Sequence, residues 1–94
     1  MLPSSFQGVL WSKPLEFWDL NLDKTEIIHR VLRYGTLQDI RWLKKTYSND
    51  ELKHTFLHSP KVIYSKPSLN FTKNFILGLT QTQINPNQYV QTFY

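Results

Sequence analysis

Three helix-start signatures follow one another closely in this chain, and they restrict its fold more than any other feature. In Asp23-x-x-Glu26, Thr36-x-x-Asp39 and Ser48-x-x-Glu51, a short oxygen-bearing side chain precedes a carboxylate by three positions. Such pairs satisfy backbone donors that a helix leaves open in its first turn. After Asp23, Ile27, Ile28, Val31, Leu32 and Tyr34 share one helical face, Arg30 and Arg33 sit where the macrodipole favours cations, and Gly35 ends the pattern. After Thr36, Leu37, Ile40, Leu43 and Tyr47 repeat at helical spacing, with Arg41, Lys44 and Lys45 opposite. After Ser48, Leu52, Phe56 and Leu57 continue until Pro60 restricts Ser59 and removes a donor. Three consecutive short helices with tight joints are expected between Asp23 and Ser59.

The flanks are less regular. Residues 1–22 hold Phe6, Leu10, Trp11, Phe17, Trp18, Leu20 and Leu22 with neither a helical nor a strand period, as an irregular arm packed across the helices would. His29 reads as a surface or partly buried side chain of the first helix. Val62, Ile63 and Tyr64 make a brief β-favouring connector, and Ser65 to Ser68 with Pro67 open a fourth helix. Leu69, Thr72, Phe75, Ile76 and Leu79 form its apolar stripe. The expected fold is a small all-α bundle of about four short helices with an aromatic N-terminal arm. Residues 1–79 form its single domain, and residues 80–94 form an uncharged tail, irregular or with a short strand.

Ninety-four residues suffice for one modest core, and 40% apolar residues supply it. The absence of cysteine excludes a disulfide scaffold, a thiolate metal site and a cysteine nucleophile. With no signal-like or membrane-length apolar run, a cytoplasmic protein without a membrane partner is expected. The net charge of +4 is uneven: residues 41–73 carry seven basic and two acidic side chains, whereas residues 74–94 carry neither. That basic segment suits phosphates or an acidic protein.

Catalytic patterns are not evident. His54 and His58 share a helical face at four-residue spacing, which would suit a divalent metal, but no third ligand or His-Glu-x-x-His pattern accompanies them. Most carboxylates are explained as helix-start residues, and Gly8, Gly35 and Gly78 make no phosphate-binding loop. The chain therefore reads as a non-enzyme needing no cofactor or metal. A helix-turn-helix frame can be laid over the second and third helices, with Leu52 at an apolar position. It places bulky Trp42 and Thr46 where a small residue and glycine are usual, and Asp50 and Glu51 at the end that would face phosphate.

Leu2-Pro3 with Leu10-Trp11, the run from Ile28 to Leu37, the run Trp42-Leu43-Lys44-Lys45-Thr46-Tyr47-Ser48-Asn49-Asp50-Glu51-Leu52, and Ser68-Leu69-Asn70-Phe71 together resemble a family of small bacterial helical proteins of uncharacterised function. Its members are commonly encoded beside nucleotidyltransferase-type toxins of toxin-antitoxin or phage-defence loci. The resemblance covers roughly residues 2–79 and carries no catalytic residues. It implies a cognate toxin as partner and a non-catalytic antitoxin or accessory role. Trp42 and the tail residues Tyr89, Val90, Phe93 and Tyr94 are the candidate protein contacts. The alternative is a DNA-binding regulator using Arg41, Lys44, Lys45, Lys53, His54 and Lys61.

Overall fold

The computed structural model describes residues 2–91 and is a small all-α bundle. Helices α1 (Lys24–Tyr34), α2 (Leu37–Thr46), α3 (Asn49–His58) and α4 (Lys66–Phe71) follow an arm containing two 3₁₀ turns, Ser4–Gly8 and Leu15–Phe17. Both α2 and α3 pack against α1. Phe6, Ile27, Ile28, Val31, Leu43, Leu52, Phe56 and Tyr64 are fully enclosed at the centre.

The capping chemistry explains most of the helix boundaries. Thr36 with Asp39 and Ser48 with Glu51 form reciprocal boxes, and Ser65 with Ser68 does the same ahead of α4, with a proline in its first turn. Asp23 is different: it stands at the start of α1 without capping it. Its carboxylate turns back to accept the Asp19 N–H at 2.9 Å and pairs with Lys13 at 3.2 Å. These bonds, the Asp19 amide foremost, hold the Asp23 carboxyl below its ordinary value. Asp23 thus fastens the arm to α1, and Glu26 forms ion pairs with Arg30 and Lys61 instead of a capping bond.

Gly35 ends α1 for a steric reason rather than a conformational one. Its backbone is extended (φ −75°), a conformation open to any residue. A Cβ there would sit 2.6 Å from the Val31 carbonyl oxygen and 3.0 Å from the Asp39 Cβ, so only glycine allows α2 to follow α1 this closely. Asp39, which the stripe of α2 leaves polar, is buried because both its oxygens are used. One accepts the Thr36 N–H at 2.9 Å and the other the Ser5 hydroxyl at 3.3 Å. Leu37, expected on the buried stripe, is exposed in that same first turn.

The arm packs across the helices through Phe6, Val9, Leu10 and Trp18, but Trp11, Phe17 and Leu22 of the same stretch are exposed rather than packed. Phe6 meets Trp42 edge-on at 4.9 Å, and the Tyr47 hydroxyl donates to the Leu20 carbonyl at 2.6 Å. Beyond α4 the chain widens into a π turn, Thr72–Ile76, in which the Leu77 N–H reaches back five residues to the Thr72 carbonyl at 3.0 Å. The wider turn rotates Phe75 off the stripe that Leu69, Thr72, Ile76 and Leu79 bury. Phe75 instead stacks on Phe71 at the surface, centroids 5.7 Å apart.

The tail returns to the core. Val90 forms a single parallel bridge with Tyr64, built from Tyr64 N–H to Tyr89 carbonyl (2.8 Å) and Gln91 N–H to Tyr64 carbonyl (2.9 Å). The Tyr89 ring stacks on Phe56 at 4.7 Å, and its hydroxyl donates to the Phe56 carbonyl at 2.6 Å. His29 corrects the expectation of a surface or partly buried residue, for it is completely buried beneath this return. The Ser59 carbonyl can only accept, so Nε2 of His29 carries the proton and donates to it at 2.7 Å. Nδ1 is left to accept from the Tyr64 hydroxyl at 2.8 Å. Burial, aided by the Lys61 charge, holds the imidazole below its ordinary 6.5 despite the Ser59 bond, and burial also pushes the Tyr64 hydroxyl well up.

Candidate functional site

Helix α1 turns Arg30 and Tyr34 toward the arm, where Trp11 and Trp18 meet them, while Arg33 reaches the other way to the Ile63 carbonyl. The Arg30 guanidinium lies 4.7 Å from the Trp11 ring centroid and 5.6 Å from that of Trp18. Lys13 covers Trp18 at 4.7 Å, Arg33 covers Tyr34 at 4.8 Å, and Trp11 meets Tyr34 edge-on at 5.2 Å. Cations and rings thus alternate along one face. Each contact of this kind contributes about 0.5–1 kcal/mol at exposed sites.

Arg30 is fixed from below as well. Its Nε donates to Glu26 at 2.7 Å and one terminal nitrogen to the Ser12 hydroxyl at 3.2 Å. Partial burial alone would raise the Glu26 carboxyl, but the bonds and charges of Lys61 and Arg30 outweigh it and hold the group below its ordinary value. The result is a rigid face with an open top: Trp11 is 58% exposed and Tyr34 40% exposed. The spacing pattern assigns Tyr34 to the core stripe and Arg30 and Arg33 to the helix dipole. The signal for their pairing with Trp11 is weak in sequence, because the arm that carries Trp11 has no period from which its direction can be read.

The expected protein contacts fall elsewhere. Trp42 is half-buried against Phe6, Tyr89 is a core residue whose carbonyl bonds Tyr64 and whose ring and hydroxyl are taken by Phe56, and Val90 is buried beside it, its N–H donating to the Pro86 carbonyl. Tyr89 and Val90 are therefore corrected from surface contacts to internal ones, whereas Trp42 keeps part of its surface open. Phe93 and Tyr94 lie outside the described residues.

The expected nucleic-acid contacts divide. Arg41, Lys44 and Lys45 are exposed on α2 and enter no ion pair among the described residues. Lys61 is taken by Glu26, and Lys53 is half-buried on α3. His54 packs its ring against that of His58, centroids 4.4 Å apart, at the surface of α3. Among the described residues no three or more His, Cys, Asp or Glu side chains gather where they could hold a metal ion. No described helix is long and apolar enough to cross a membrane.

A cleft of about 600 Å³ opens beside this face, lined by Leu2, Ser4, Gln7, Leu15, Glu16, Trp18 and Leu20. Trp18 belongs to both features: it lies beneath Lys13 and Arg30 on the aromatic face and forms part of the cleft wall.

Residues 9–56 match a family of unknown function (DUF6922), and the chain belongs to that family. The matched stretch runs from the arm into α3 and so contains every member of the Trp11–Arg30–Tyr34 face. Neither a curated protein nor a solved structure matches the chain.

Proposed function

We propose that this chain is a non-catalytic antitoxin or accessory protein of a bacterial toxin-antitoxin or defence module, and that it holds its cognate toxin through the Trp11–Arg30–Tyr34 face. The observation that carries the reading is the exposed Trp11, held in place by Tyr34 and Arg30 with much of its ring open. Trp, Tyr and Arg are the side chains most enriched among energetic anchors of protein interfaces. A ring already fixed in the free protein loses little rotamer freedom on binding, so more of its contact energy appears as affinity. The toxin as partner follows from the family resemblance described above.

Co-expression with a nucleotidyltransferase-type toxin from the same locus tests this reading. One co-eluting species in size-exclusion chromatography and restored growth are expected, with affinity falling at least about tenfold in Trp11→Ala, as for an interface anchor. Two independently eluting proteins and unrelieved toxicity refute it. Deleting residues 80–94 is not an equivalent test, because it removes Tyr89 from the core and measures stability instead.

A second reading, a DNA-binding regulator, draws on the exposed Arg41, Lys44 and Lys45 of α2. Binding through several phosphate contacts would weaken steeply between low and moderate salt. Absence of a shift with promoter DNA at low salt removes it. Its support is narrower than expected from sequence, since Lys61 is occupied and Asp50 is exposed at the start of α3.

A further inference from the structure

The cleft beside Trp18 has the composition of a receiving pocket rather than of a packing gap. Its volume, about 600 Å³, lies within the range of roughly 300–1,000 Å³ typical of ligand sites. Leu2, Leu15 and Leu20 pack against the core yet keep apolar surface turned outward in this concave setting, and Trp18 extends the same wall. Ser4 and Gln7 supply neutral polar groups. The charged residue of the lining is Glu16, which is exposed and forms no ion pair among the described residues. Every cation on the aromatic face next door is already engaged: Lys13 with Asp23, Arg30 with Glu26, and Arg33 with the Ile63 carbonyl. The chain therefore sets Glu16, unpaired among the described residues, in the wall of an apolar hollow, while the cations of the neighbouring face are engaged by other partners.

We propose that this cleft receives a segment of a partner protein that presents an aliphatic side chain together with a basic one. The aliphatic group enters between Leu15, Leu20 and Trp18, and the basic group pairs with Glu16. The proposal rests on the reading of this chain as a protein-binding module and adds the chemistry of the segment it takes. The shared Trp18 makes the cleft continuous with the Trp11 face, so one partner can occupy both. Charge complementarity selects the occupant: an acidic or phosphorylated segment would bring like charge against Glu16, and a purely apolar one would leave that carboxylate without a partner.

Titration of the full-length protein with short capped peptides, followed by amide and indole NMR, tests the proposal. A Leu-x-x-Arg peptide is expected to move the indole N–H resonance of Trp18 together with the amides of Leu15 and Leu20. A Leu-x-x-Glu peptide and a Ser-x-x-Arg peptide of equal length are expected to bind more weakly. Glu16→Gln should weaken the Leu-x-x-Arg peptide by about two- to fivefold, the range of a single exposed ion pair, and Glu16→Lys should reverse the preference between the two charged peptides. Glu16 makes no described hydrogen bond or ion pair, so both variants should keep the fold, and an unchanged spectrum outside the cleft checks this. Resonances that stay still at millimolar peptide overturn the proposal. Equal response to all three peptides, or affinity indifferent to Glu16→Lys, also overturns it. Trp11→Ala should weaken toxin binding at least about tenfold but leave the peptide response intact, so failure of the cleft and failure of the toxin reading are told apart.

Discussion

Two aromatic clusters are built on α1, and they differ in what completes them. The inner one, His29 with Phe56, Tyr64 and Tyr89, is closed by the chain itself: both imidazole nitrogens and both tyrosine hydroxyls have partners. The outer one, Trp11 with Tyr34, Arg30 and Trp18, is closed on the side facing α1 and open on the other. His29 and Arg30 are adjacent in sequence, so a single residue step along α1 divides the two. Aromatic rings serve cohesion in one cluster and remain available in the other. What separates them is whether another part of the chain returns to cover the ring, as residues 89–91 do for the inner cluster.

Substitutions can break that contrast. The largest expected effect is in the inner cluster: Tyr89→Ala removes a buried ring stacked on Phe56 and should cost about 3–5 kcal/mol. Much of the stability of a domain this size would go with it, visible as a lower midpoint in urea unfolding. Gly35→Ala comes next. Its Cβ meets a backbone carbonyl that cannot swing aside, so a loss of about 1–3 kcal/mol, as for overpacking, is expected in the same measurement.

Acid should distinguish the clusters through His29. Its pKa is depressed in the folded protein, so at pH below 6.5 the unfolded chain takes a proton that the native imidazole resists. The contribution is complete above pH 6.5 and is lost as pH falls from there through the folded value. Asp23 and Glu26, also depressed, lose theirs in a lower window, beginning near their ordinary 3.8 and 4.5. Unfolding midpoints measured from pH 7 to 5 should therefore fall in the wild type and stay flatter in His29→Gln. The smallest effect on stability belongs to the outer cluster. Trp11→Ala gives up cation–π and edge contacts at an exposed site, and should move the unfolding free energy by only about 0.5–1 kcal/mol. Its effect on partner affinity should exceed that, and a variant that unfolds instead would place Trp11 with the core.

Much of the fold could be read directly from residues. Thr36, Ser48 and Ser65 mark starts of helices because the bonds that define a cap span only three positions. Ile27, Ile28, Val31, Ile40, Leu43, Leu52 and Phe56 show by spacing alone which faces are buried. Where a side chain has a choice of partners, spacing is a poorer guide. Asp23 satisfies the cap pattern but reaches Asp19 and Lys13, and Phe75 satisfies the stripe but is rotated outward by the π turn. The candidate site was less legible still. Trp11 and Trp18 are conspicuous in sequence, yet the arm has no periodicity to show that both meet Arg30.

The sequence by itself determined the helices, most of their starts and most of the core, since capping and periodicity are local and follow from backbone geometry. Tertiary structure decided the destinations of His29, Tyr89 and Val90, which the sequence leaves as a surface or partly buried histidine and part of an irregular or short-strand tail. It also decided that Trp11 and Tyr34 stay open while Tyr64 and Tyr89 close. The physical reason is that burial of a polar aromatic depends on whether a distant segment supplies its hydrogen-bond partner. Ser59 supplies it for His29, His29 for Tyr64 and Phe56 for Tyr89. Those pairings join residues about thirty positions apart, beyond the reach of any local pattern.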